Sequence, residues 1–74
     1  MTRNQKMAIE IMQMLDSEIC AEVGYYTGDD SMVFAWGHEN KKIKTIDIKK
    51  DDAMAYAKFD EIKSIIEELK ANAD

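Results

Sequence analysis

The period of the apolar residues changes twice along this chain, and no other feature constrains the fold as tightly. In residues 3–20, Ala8, Ile11, Met12, Leu15 and Ile19 fall within one arc at about 100° per residue, the spacing of an amphipathic helix. Thr2 and Gln5 stand at capping-box spacing just before it. Met7 and Met14 widen the arc to about half the circumference, more than the stripe a two-layer domain needs. Such a helix either lies deep against a sheet or keeps an apolar shoulder free.

From Cys20 to Lys50 the period drops to two. Residues 20–27 are aromatic and β-branched and end at the turn signal Gly28-Asp29-Asp30. In residues 32–38, Met32, Phe34 and Trp36 alternate with Val33, Ala35 and Gly37; Glu39 to Lys42 then turn the chain. Ile46 and Ile48 mark a third strand over 43–49, with Ile43 out of phase, which predicts a bulge or a late start. After it the helical period returns. Asp51 or Asp52 is placed to cap a helix over about 52–72, whose stripe is Ala55, Phe59, Ile62, Ile66, Leu69 and Ala73. Its outer face carries Lys58, Asp60, Glu61, Lys63, Glu67, Glu68 and Lys70. The expectation is a single small α+β domain spanning 1–74, in α-β-β-β-α order. Short connections imply a three-stranded antiparallel sheet, with both helices packed on one face.

Composition removes several classes. One cysteine excludes a disulfide scaffold, and it fits a reducing, cytoplasmic setting. The chain has no proline and three glycines, so it is neither collagen-like nor low-complexity. No apolar run is long enough for a membrane span. The opening MTRNQKMAIEIMQ mixes charges into its apolar run and lacks a cleavage site, so no signal peptide is expected. Size limits chemistry too. A ligand pocket of ~300–1,000 Å³ would take much of so small a core, whereas a standard interface needs only ~800 Å² per partner.

Charge is unevenly placed. The net charge is -5, yet residues 41–50 hold five lysines and one aspartate. Lys41, Lys42, Lys44, Lys49 and Lys50 therefore form a basic stripe, which can blunt an exposed strand against edge-to-edge pairing or meet a partner. The acidic remainder disfavours nucleic acid, because counterion release needs many cations and few neighbouring anions. The acidic outer face of the last helix either keeps the protein dissolved or meets a basic surface on another macromolecule.

Catalytic and metal signals are weak. Cys20 and His38 sit on different predicted strands, without an orienting third group. Asp29-Asp30 and Asp51-Asp52 lack the alternating ligands of a calcium loop and read as a turn and a cap. Gly24–Gly28 lacks the lysine of a phosphate loop. No cofactor, metal or catalytic residue is expected. Of the aromatics, Trp36 reads as core, and either Tyr25 or Tyr26 must face away from it. An exposed Tyr or Trp on the uncovered sheet face would suit an interface.

The α-β-β-β-α order at this length is similar to that of the double-stranded-RNA-binding domain, and the resemblance is one of topology. That family's last helix opens on a basic cluster that meets phosphates. Here the stretch reads KKDDAMAYAKFDE, lysines followed at once by acids, so no RNA-contacting residue carries over.

Together these features predict a non-enzymatic, small acidic protein-binding module. It would be an inhibitor or adaptor, of the kind phage and other mobile elements use to block host machinery. Its partner would be a protein or nucleoprotein with a basic surface, and no membrane is involved. The candidate contacts are Asp60, Glu61, Glu67, Glu68, Tyr25, Tyr26, Trp36, Lys41, Lys42, Lys44 and Lys49. The alternatives are a nucleic-acid-binding module using the stripe at 41–50, and a homodimer joined through the first helix or a strand edge.

Overall fold

The computed structural model describes residues 1–37 and 42–72, in the order α1 (Arg3–Met14), β1 (Ala21–Tyr26), β2 (Ser31–Trp36), β3 (Lys44–Ile48) and α2 (Ala55–Ala71). The result is a small compact α+β domain. The capping box forms as expected: the Gln5 N–H donates to Thr2 Oγ1 at 3.0 Å, and the Thr2 N–H donates to Gln5 Oε1 at 2.7 Å.

α1 stops at Met14 rather than near residue 20. Leu15 takes an extended backbone, and Asp16 Oδ1 accepts the Glu18 N–H at 2.9 Å, a local bond that competes with the helical ladder. Leu15 and Ile19 still pack on the core from the connection, which is why their spacing resembles helix.

The strands form an antiparallel sheet in the order β1-β2-β3. Met32 pairs with Tyr25 and Ile48, and Phe34 with Val23 and Ile46, so these residues share one face. Both helices cover that face. Met7, Ala8 and Ile11 of α1 meet Ala55, Phe59, Ile62 and Ile66 of α2 over Met32, Phe34 and Ile48. Of the two possibilities for Ile43, the late strand start holds: it precedes β3 and is 72% exposed.

Hydrogen-bond parity follows from one contact. The Gly37 N–H donates to the Cys20 carbonyl at 3.2 Å, so Glu22, Gly24 and Tyr26 exchange bonds with β2. The N–H and C=O groups of Ala21, Val23 and Tyr25 then point away from the sheet. On β3 the same parity turns Thr45 and Asp47 outward.

α2 begins at Ala55, and neither Asp51 nor Asp52 is its N-cap; that position is Met54, with no side-chain bond. Asp52 instead accepts the Met54 N–H at 2.9 Å and the Lys58 ammonium at 2.5 Å, holding the chain in a turn before the helix. Lys58 leaves the outer face that its spacing predicts. It is half-buried and also donates to the Asp47 carbonyl at 3.0 Å, tying α2 to the outer edge of β3. Ala73, the last residue of the expected stripe, lies outside the described residues.

The helices run side by side in the same direction. Arg3, at the start of α1, donates to the Lys49 and Lys50 carbonyls at 3.0 and 3.1 Å, just before α2. At the other end Lys70 comes within 4.0 Å of Asp16, just past α1. Among the described residues no helix is long and apolar enough to cross a membrane.

Candidate functional site

The outward side of α2 carries four exposed carboxylates. With Ala55, Phe59, Ile62 and Ile66 buried, the helical period turns Ala57, Ser64 and Ala71 straight outward. Asp60 and Glu67 flank that seam on one side, Glu61 and Glu68 on the other, and all four are exposed. Members of each row stand seven residues apart, about 10 Å along the axis. The nearby lysines point elsewhere. Lys58 is taken by Asp52 and Asp47, while Lys63 lies 4.6 Å over the Phe59 ring and 3.4 Å from Asp60. Among the described residues Glu61, Glu67 and Glu68 have no cation within ion-pair distance. The sequence counted three lysines on this helix face. Only the packing shows two of them drawn to its flanks.

The uncovered sheet face carries Tyr26, and the choice between the two tyrosines is settled by pairing. Tyr25 lies opposite Met32 on the inner face; Tyr26 lies opposite Ser31 on the outer face and is 56% exposed. A Cβ built on Gly24 would sit 3.8 Å from the Tyr26 hydroxyl and 3.7 Å from Val33, so the ring leans along the strand over the glycine. Beside it an open concavity of about 440 Å³ is lined by Tyr26, Asp29, Val33, Asp47 and Lys49 among others. Trp36, on the inner face, stacks on Phe34 with ring centroids 5.4 Å apart and packs against the core. Its half-buried ring also lines a shallow concavity of about 230 Å³ beside Cys20, Gly37 and Ile43.

Tyr25 belongs to a latch that the sequence did not suggest. Its hydroxyl donates to Asp30 Oδ1 at 2.5 Å, and the Thr2 hydroxyl donates to the same oxygen at 2.8 Å. Asn4 is buried, and its amide donates to the carbonyls of Asp30 at 2.8 Å and Ile48 at 3.3 Å. These bonds hold Asp30 at φ 51°, in the left-handed region that an aspartate tolerates. Gly28, in the same turn, has no positive φ. The Tyr25 hydrogen bond, with help from Thr2, holds the Asp30 carboxyl below the usual carboxylate range. The same bond pushes the Tyr25 hydroxyl above its ordinary value. The Lys58 ammonium, then the Met54 N–H, lower Asp52 in the same way. An asparagine among the apolar positions of the first turn was the one available signal for the latch.

The basic stripe does not gather into one site. Lys42, Lys44, Lys49 and Lys50 are exposed, but Asp29, Asp51 and Asp52 share a concavity of about 400 Å³ with Lys49 and Lys50. Lys41 and His38 lie outside the described residues; Cys20 is free and exposed. Where the resemblance to the double-stranded-RNA-binding domain implies phosphate contacts, the turn into α2 presents Asp51 and a Lys58 already bound to Asp52. Among the described residues no group of three or more His, Cys, Asp or Glu side chains could hold a metal ion. No protein-family model, curated protein or solved structure matches this chain.

Proposed function

We propose that this protein is a non-enzymatic protein-binding module, an inhibitor or adaptor that lays the outward ridge of α2 on a basic surface of a macromolecular partner. The supporting observation is the double row of Asp60, Glu61, Glu67 and Glu68 around the small residues Ala57, Ser64 and Ala71, with no cation turned outward between them. Small residues along the seam let a partner's backbone or long cationic side chains approach closely. The carboxylates on either side then meet lysine or arginine heads at charge-assisted distances. Opposite potentials also speed encounter, so the interaction is steep in ionic strength.

The test is a charge reversal confined to the ridge. All four positions are exposed, and the one ion pair lost among the described residues, Asp60 with Lys63, is a surface pair, so thermal unfolding should change little. Affinity capture is then run with the wild type and the variant, at about 50 mM and about 500 mM salt. The reading requires a partner held by the wild type at low salt and lost both on reversal and at high salt. A partner retained equally by the variant overturns it.

A further inference from the structure

We propose that β1 is a dimer seam, at which two copies pair their β1 strands antiparallel about a two-fold axis at Val23 to make one six-stranded sheet. The surface is separate from the acidic ridge of α2. Along β1 the outward N–H and C=O groups of Ala21, Val23 and Tyr25 form an unpaired ladder, a template for another strand. On the opposite edge, Lys58 already holds the outward carbonyl of Asp47, and the strand is flanked by Lys44 and Lys49. Among the described residues no such arm reaches β1.

Above this edge lies the free shoulder of α1. Arg3, Lys6 and Glu10 face α2, since they share a concavity of about 300 Å³ with Tyr56 and Phe59. The other flank of α1, with Gln5 and Met12, therefore overhangs β1, and Ile9 lies beside them toward the outward side of the helix. Ile9 is 40% and Met12 59% exposed. This strip bears no charge in a protein whose residues are 34% charged, and Glu22 is the one charge within β1.

Self-pairing suits this surface. With Val23 beside its own mate, Ala21 meets Tyr25 of the second copy, and all three outward residues find bonds at once. The same register sets Glu22 against Gly24 of the second copy, so no like charges stand directly opposite. An extended strand from another protein would satisfy the backbone but leave Ile9 and Met12 bare. A second copy brings its own shoulder to cover them, as an isologous interface requires. The seam is only about 20 Å long. So short a seam falls below the standard interface, which predicts a weak dimer that dissociates on dilution.

Sedimentation from about 1 µM to about 1 mM tests the seam, with hydrogen exchange run alongside. The expected result is a monomer–dimer equilibrium in which the Ala21, Val23 and Tyr25 amides gain protection with concentration while Thr45 and Asp47 do not. The double variant Ile9→Lys/Met12→Lys, on exposed positions, should weaken the dimer by about tenfold or more. Val23→Pro removes an N–H that β2 does not use and should abolish it. Because each copy carries net -5, added salt should leave the dimer intact or strengthen it, the reverse of binding through the α2 ridge. A monomer throughout overturns the proposal and leaves the edge to a foreign strand. So does a dimer that protects Thr45 and Asp47 instead, or one indifferent to both variants.

Discussion

The two edges of the sheet differ in how their unpaired backbone is managed. β3 has one of its two outward carbonyls, that of Asp47, occupied by Lys58, an arm sent across from α2 and anchored by Asp52. β1 has α1 above it, yet the flank that α1 turns outward offers Ile9 and Met12 rather than a cation. The protection of an edge is thus not a property of its own strand. It depends on which residue of the covering helix falls over the rim. A lysine at one helical phase caps a carbonyl of the β3 edge; a methionine on the matching flank of α1 caps none on β1.

The largest expected effect comes from removing what both edges share. Phe34→Ala empties the centre of the middle strand beneath both helices and should cost about 3–5 kcal/mol in urea unfolding. A loss under about 1 kcal/mol would mean that the sheet and the helices do not share one core. Thr2→Ala removes both the α1 cap and a bond to Asp30, and should cost about 1 kcal/mol.

Lys58→Met should destabilise less than Phe34→Ala but convert β3 into a second open edge. Association would then appear with protection at Thr45 and Asp47, and its absence would show that charge on β3 is sufficient by itself. The same variant bears on pH dependence. Asp30 and Asp52 ionise more readily folded than unfolded, so their contribution is present above about pH 3.9 and is lost as pH falls through their lowered values. Lys58→Met should flatten the Asp52 part of that acid limb.

Tyr25 behaves oppositely. Its raised value gives stability that is whole below about pH 10 and lost as pH rises through the folded value. Tyr25→Phe should remove the alkaline limb in a pH series of unfolding midpoints. Tyr26→Ala, one residue on but on the open face, should shift stability by no more than about 0.5 kcal/mol. A larger loss would show that the ring over Gly24 supports β1 itself.

Much of the fold was legible because periodicity survives in a single chain. Met32, Phe34, Trp36, Ile46 and Ile48 alternate onto the covered face, and Ala55, Phe59, Ile62 and Ile66 recur on the buried side of α2. Boundaries were less legible. Leu15 and Ile19 continue the helical spacing from outside the helix, and Asp52 has the composition of a cap while serving as a turn and as the anchor of Lys58. The candidate surface was half legible. The four acids were evident, but not that among the described residues only Asp60 keeps a lysine within ion-pair distance, because that depends on where Lys58 and Lys63 lie.

By itself, then, the sequence determined the order and type of the elements and which residues seek the interior, since those follow from a repeat of 2 or 3.6 along one strip of chain. Tertiary structure alone decided that Tyr26 rather than Tyr25 is free, that Asp30 takes the positive-φ turn position, and that Lys58 caps a carbonyl on the β3 edge. Each of those depends on groups distant in sequence arriving at one place: Thr2 and Asn4 at Asp30, Met32 across from Tyr25, Lys58 at Asp47. A one-dimensional pattern carries no information on such meetings until the helices have been set on the sheet.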